Sequence, residues 1–207
     1  MTSPTLPKTV QEMFGETQTP SALKNAALVL IDFQREYLDG TLPLKDVRRA
    51  VTEAARLIAL AESQGVPVFH VVHAGPPGGP LFDPEGPFFA ELPGVAAKPG
   101  ERVLRKSLPN AFAGTNLHAL LQETGRTELI LAGCMTHVCV STTARAAREL
   151  GYRNTVVARA CATRDLPDPF GEVIPAEMVH RAALSELKDG FSVVVADASA
   201  WDVGADL

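Results

Sequence analysis

The stretch Ala26-Ala-Leu-Val-Leu-Ile-Asp32 constrains this chain more than any other. Six apolar residues without alternation form a strand buried on both faces, and such strands belong to parallel sheets covered by helices on either side. The run stops on a carboxylate, which at that place must face solvent or a partner, because burying it alone is costly. Further runs follow at Val66-Pro-Val-Phe-His-Val-Val72, Arg102-Val-Leu-Arg-Lys106, Glu128-Leu-Ile-Leu-Ala-Gly133, Thr155-Val-Val-Ala158 and Phe191-Ser-Val-Val-Val195. Helical patterns separate them. From Asp46 to Ser63 the apolar residues Val47, Val51, Ala54, Leu57, Ile58 and Ala61 recur at helical spacing, and Gly65 closes the segment. Asn116 to Glu123, Thr136 to Leu150 and Pro175 to Lys188 read as helices, the last opening on a proline that a first turn tolerates. Strands alternating with helices predict an α/β sandwich around a mostly parallel sheet.

The 207 residues suffice for one good-sized domain, expected over residues 26–207. Residues 1–25 are expected to form an extended arm, because Pro4, Pro7 and Pro20 resist regular structure. A formal charge of −5 argues against a nucleic-acid partner, which calls for a basic patch. No apolar run reaches the roughly 20 residues that span a membrane, so no membrane partner is expected. Residues 1–21 lack the basic flank and apolar core of a signal peptide. Three cysteines are too few and odd in number for a disulfide scaffold, and they fit reduced thiols in a cytoplasmic setting. The Gly/Pro-rich stretch from Gly75 to Gly100 is too long for a simple connector, and loops of that size tend to be functional.

In open parallel sheets, ligands bind beyond the carboxyl ends of the strands. Asp32, Lys106 and the segment Gly133-Cys-Met-Thr-His-Val-Cys139 stand at or just past such ends. With Thr136 as helix N-cap, Cys139 falls in the first helical turn, where the helix terminus and a nearby lysine lower a thiol pKa and suit a nucleophile. The plainer reading makes Cys139 a small buried hydrophobe, Asp32 a salt-bridged structural residue and Lys106 a surface cation. A zinc cluster of Cys134, His137 and Cys139 has no standard ligand spacing. The sequence contains no Gly-x-Gly-x-x-Gly, Walker or Gly-x-Ser-x-Gly motif, which speaks against common dinucleotide, nucleotide and serine-hydrolase sites.

Taken together, these segments resemble the isochorismatase-like cysteine hydrolases, the superfamily that includes nicotinamidase-related amidohydrolases. The resemblance rests on Leu30-Ile-Asp-Phe-Gln34, on Lys106 ahead of Asn110-Ala-Phe112, and on Gly133-Cys-Met-Thr-His-Val-Cys-Val-Ser-Thr-Thr-Ala-Arg145. Gly151-Tyr152 and Ala160-Cys-Ala-Thr-Arg164 extend it, so that it runs from about Ala26 to Val195. It implies a three-layer Rossmann-like sandwich with a six-stranded, mostly parallel sheet. It also implies a catalytic Asp32, Lys106 and Cys139, and a non-proline cis peptide at Cys134–Met135. The amides of Met135 and Cys139 would then form an oxyanion hole. Nicotinamidases carry a metal site of an Asp and several His after the second strand. Here that region reads His70-Val-Val-His-Ala-Gly-Pro-Pro, so neither a metal nor another cofactor is expected and nicotinamide is disfavoured. Isochorismatases that cleave a vinyl ether lack the nucleophilic cysteine, and its presence here favours covalent acyl chemistry.

The expected activity is hydrolysis of a C–N bond of a small amide-like molecule through a thioester. Two alternatives stay open: vinyl-ether hydrolysis using Asp32 without a covalent step, and a non-catalytic binding member of the fold. Redox signalling, with Cys134 as resolving cysteine, is a third. Gln34, Tyr37, His73 and Phe112 are candidate substrate contacts, each equally readable as a packing residue, and His137 reads as structural. A homodimer or homotetramer is expected by resemblance.

Overall fold

A six-stranded, wholly parallel sheet organises the chain, as seen in a computed structural model that describes residues 6–202. In chain order the elements are α1 (Val10–Met13), β1 (Ala26–Ile31), α2 (Val47–Gln64), β2 (Val68–His73), β3 (Arg102–Lys106), α3 (Leu117–Glu123) and β4 (Glu128–Cys134). A π-helical turn, Thr136–Val140, leads into α4 (Ser141–Glu149). Then come β5 (Arg153–Ala162), the short hairpin β6 (Leu166–Pro167) and β7 (Val173–Ile174), α5 (Ala176–Gly190) and β8 (Val193–Val195). The strand order is β3-β2-β1-β4-β5-β8. The chain therefore winds outward from β1 in one direction and from β4 in the other, and these two strands pair at the centre from Ala26↔Glu128 to Ile31↔Gly133.

Every residue of β1 is buried, as a strand without alternation requires. Ala26, Leu28 and Leu30 pack with Ala50, Ala54, Leu57 and Ala61 of α2 on one face. Ala27, Val29 and Ile31 pack with Leu117 and Leu121 of α3 and with Val140, Ala144 and Ala147 near α4 on the other. The two layers of helices and the sheet between them form the predicted sandwich.

Residues 6–25 include a helical turn that proline content alone did not suggest. α1 is nucleated by a capping box in which Glu12 N–H donates to Thr9 Oγ1 (3.2 Å) and Thr9 N–H donates to Glu12 Oε2 (2.7 Å). Gln11 then anchors it by donating to the carbonyls of Lys188 and Ser192. β5 runs four residues past the predicted Ala158 because Gly133 and Cys134 pair with Cys161 and Ala162 after a register shift.

Gly133 marks the closest approach of the central strands. Its φ is +150°, and a Cβ there would lie 2.1 Å from the Ile31 carbonyl oxygen and 2.7 Å from Ile31 Cβ. Both obstacles belong to β1 just before Asp32. Gly133→Ala is therefore expected to lower stability by about 3 kcal/mol or more, the upper end of the overpacking range. Urea denaturation reads this directly, and an unchanged midpoint would mean that β1 and β4 separate freely at that level.

Candidate active site

The carboxyl ends of β1, β2, β3 and β4 lie side by side, and each contributes one polar side chain to a common cluster. Asp32 follows β1 with φ at +53°, a left-handed conformation that Asp tolerates better than most residues. Its N–H donates to Val71 O (2.7 Å), and its carbonyl accepts from Gln34 N–H (2.8 Å), which fixes the turn. Lys106 ends β3 opposite His73 at the end of β2. Its chain reaches inward, so neither its side chain nor that of Asp32 exposes any surface. Lys106 Nζ stands 2.7 Å from Asp32 Oδ2, 3.0 Å from His73 Nδ1 and 3.3 Å from Cys139 Sγ. The approach to Oδ2 is too bent for a well-directed hydrogen bond, so the contact is chiefly Coulombic, and Oδ1 has no hydrogen-bond partner among the described residues.

Cys139 sits in the π-turn between β4 and α4, a local geometry that recurs at functional sites. Thr136 is not its N-cap. That position belongs to Met135, and no side chain caps it. The Thr136 hydroxyl turns instead toward β5 and α5, donating to Ala162 O (3.2 Å) and pairing with His180 Nδ1 (2.8 Å). The Cys134–Met135 peptide is cis. The Met135 carbonyl accepts from Val138 and Val140, whereas its N–H makes no turn or loop hydrogen bond among the described residues. His137 pairs with Thr163 Oγ1 at 2.6 Å, a structural arrangement.

Burial governs the electrostatics. It raises the Asp32 pKa to about 6, against the opposing pull of Lys106. It pushes the Cys139 thiol up to about 12, helped by the Asp32 charge and opposed by Lys106. A helix terminus and an ammonium by themselves would lower the thiol pKa, the reverse of what is found. Desolvation and an adjacent carboxylate outweigh the terminus and the ammonium here. His73 falls to about 4 through burial and the charge of Lys106. Its ring is therefore neutral at pH 7, and Nδ1 accepts from the ammonium.

The candidate wall residues separate by position. Tyr37 is buried and meets the Phe82 ring edge-on at 5.2 Å. His73 belongs to the cluster itself. Gln34 stands behind it, donating to the carbonyls of His73 and Phe89 and accepting from His73 N–H, so its amide ties the end of β2 to the Gly/Pro-rich stretch. Phe112 stacks on Tyr152 at 6.1 Å. Phe82 and Glu36 were not singled out from the sequence. Phe82 was hidden among glycines and prolines, and Glu36 looked like a solvent-facing charge beside Tyr37. Cys134 packs on the opposite face of the sheet from Cys139, a poor place for a resolving thiol.

Asp32, His73 and Cys139 offer three ligand atoms within 4.8 Å of one another, a spacing that invites a metal. The Lys106 ammonium contacts all three side chains. Their shared cation is thus built into the chain, and a metal ion there would meet a positive charge at contact distance. These donors do not fit a metal while Lys106 is in place.

Residues 26–199 match the family described as "Isochorismatase domain". A crystal structure of an isochorismatase from Pseudomonas putida KT2440 is 43% identical and superposes with a TM-score of 0.89 over 94% of this chain and 99% of that one. The secreted isochorismatase effector Isc1 of Verticillium dahliae is 34% identical over 186 residues, 89% of this chain and 95% of its own length. A maleamate amidohydrolase of Pseudomonas putida is 34% identical over 188 residues, 83% of each protein.

The buried ion pair makes a stability prediction. Lys106→Met leaves the Asp32 carboxylate without a cation and is expected to cost about 3–5 kcal/mol at pH 8. Without Lys106 the native pKa of Asp32 rises above its present value of about 6, while the unfolded value stays near 3.9. A native pKa raised in this way adds destabilisation as pH climbs and removes it as the carboxyl protonates. Denaturation at pH 5 should therefore show a smaller loss than at pH 8. An equal loss at both would assign the effect to lost packing alone.

Proposed function

The chain belongs to the isochorismatase family, and from that premise we propose that it hydrolyses a non-peptide C–N bond of a small amide through a thioester on Cys139. The observation that carries this reading is the meeting of a thiol, a carboxylate and an ammonium in one desolvated place, with Lys106 Nζ in contact with both Asp32 and Cys139. The relative named an amidohydrolase supports the C–N class of bond.

With a pKa near 6, Asp32 is ionised at neutral pH, while the thiol, near 12, keeps its proton. Sγ therefore attacks the carbonyl carbon as its proton passes to Asp32. The carbonyl π electrons move to oxygen, and the oxyanion accepts hydrogen bonds from the Met135 and Cys139 amides. Lys106 balances the negative charge that moves among carboxylate, sulfur and oxyanion. As the tetrahedral adduct collapses, the C–N bond breaks, Asp32 returns its proton to the leaving nitrogen, and a thioester remains. Water then adds to the thioester as its proton passes to Asp32, and when the C–S bond breaks Asp32 returns that proton to sulfur, releasing the acid and restoring the thiol. Acid–base help of this kind contributes about 10²–10⁴-fold and one oxyanion donor about 10²–10³-fold. The three free cysteines suit a compartment that keeps thiols reduced, which a cytoplasmic setting supplies.

Intact-mass spectrometry and product release over a panel of small amides test the reading. Wild type should gain an acyl mass, and Cys139→Ala should gain none and lose activity by a factor on the order of 10⁴ or more. Full turnover by Cys139→Ala would overturn the covalent route and favour the vinyl-ether type of chemistry, which leaves Cys139 unused. The general base must be ionised, so kcat/KM should rise with pH through an apparent pKa near 6. His73 is neutral above about pH 4 and does not supply that limb.

A further inference from the structure

We infer that Phe82, held in place by Glu36, determines the specificity of the acyl pocket, and that this pocket takes small aliphatic acyl groups in preference to flat aromatic ones. The inference rests on the amide hydrolysis proposed above and adds the class of substrate.

Phe82 lies in the irregular stretch between β2 and β3, with φ at +54°. A bulky side chain rarely adopts that conformation, and it persists where the surroundings over-determine it, commonly at ligand clamps. The surroundings here are specific. Phe82 N–H donates to Glu36 Oε2 (3.2 Å), and the Phe82 carbonyl accepts from Gly75 N–H (2.9 Å). The other oxygen of Glu36, Oε1, accepts from Thr41 N–H (2.6 Å). Glu36 is buried at 4% exposure, so a carboxylate removed from water is answered by two backbone amides from two different loops. It ties the segment after β1 to the segment after β2. Gly40 leaves room for it, since a Cβ there would come within 2.7 Å of Oε1.

This clamp fixes the ring beside the reactive cluster. The Phe82 ring centroid lies 5.0 Å from that of His73 and 5.2 Å from that of Tyr37, edge to face in the second case. A ring nitrogen of His73 is in turn within 4.8 Å of Cys139 Sγ. Phe82 is thus one ring removed from the thiol. Tyr37 and Phe82 already touch, so no slot for a third flat ring lies between them. An acyl group on Sγ would lie beside the His73 ring, which packs on Phe82, which packs in turn on Tyr37. Glu36 is a positioning residue in this scheme and acts through Phe82.

The experiment compares two ratios in wild type, Phe82→Ala, Phe82→Leu, Glu36→Gln and the double variant Glu36→Gln/Phe82→Ala. One ratio is kcat/KM for benzamide over propionamide. The other is the rate of Cys139 alkylation by N-phenyl iodoacetamide over iodoacetamide, which reads pocket size without any amide hydrolysis. Wild type should favour the small member of each pair. Phe82→Ala should raise both ratios at least about tenfold, the scale set by filling an apolar pocket, and Phe82→Leu should raise them less. Glu36→Gln places an amide NH₂ against one of the two N–H groups it now accepts from, and the ratios should rise. The double variant should rise no further than Phe82→Ala, because one residue acts through the other. General structural damage would lower all rates together and leave the ratios unmoved. Unchanged ratios in both Phe82 variants, a wild-type preference for the aromatic probes, or multiplying effects in the double variant would overturn the inference. If alkylation responds as expected while wild type hydrolyses no amide, the pocket assignment stands and amide hydrolysis falls.

Discussion

The buried contact between Asp32 and Lys106 is the constraint around which the rest of the site is arranged. Removing two charges from water costs several kcal/mol per ion, and their attraction repays this only when the geometry is held firmly. The fold supplies that grip. β1 is buried along its whole length and delivers Asp32 into the interior, where a left-handed turn aims the carboxylate. β3 is an edge strand with alternating exposure, yet its last residue is the fully buried Lys106. An edge strand can send a long cation inward because its pleat turns every second side chain toward the covered face. The lack of a side chain at Gly133 lets β4 approach β1 closely at Ile31, the residue before Asp32.

The same burial decides which form of the Cys139 thiol rests in the site. Many reactive cysteines are held as thiolates by nearby positive charge. Here the ammonium that would do so is already engaged by Asp32 at 2.7 Å, closer than its 3.3 Å to sulfur. Burial and the neighbouring Asp32 charge therefore hold the thiol up, and the ammonium offsets them only in part. A resting thiol is less prone to adventitious oxidation than a free thiolate. Burial likewise raises the Asp32 carboxyl to about 6, against the pull of Lys106.

What the sequence disclosed follows from the range of the physics involved. The unbroken apolar run of β1, the helical spacing from Val47 to Ala61 and the order of strands and helices are local patterns, and they led to the sheet and its two helical layers. The position of Asp32, Lys106 and Cys139 past strand ends was legible because a parallel sheet sends those ends to one side. The direction of the Cys139 pKa was not, because the helix terminus is local whereas the deciding influences, burial and Asp32, come from parts of the chain distant in sequence. Thr136 looked like an N-cap for the same reason; its hydroxyl goes to Ala162 and His180, which only the folded chain brings near. Phe82 was invisible because its significance lies in a backbone angle and in Glu36, neither of which has a sequence pattern. α1, by contrast, was signalled by Thr9 and Glu12 at capping-box spacing and was overlooked in favour of the prolines.

Gln34 and Glu36, two residues apart after β1, support the charge cluster and the Phe82 ring in different ways. Gln34 holds His73 by its backbone and so steadies the group that accepts from Lys106. Glu36, two residues on, holds Phe82 and so steadies the wall. Both reach into the same stretch between β2 and β3, where Gln34 also grips Phe89 and Arg35 N–H donates to Ala90. Selection can therefore drift by changes at the tip of that stretch without moving the carboxyl ends of the strands. Changes near residues 88–91, however, pull on Gln34 and reach the charge cluster through His73. The charges fixed by the sheet and the ring fixed by the stapled loop are thus held through separate contacts, those of Gln34 and those of Glu36.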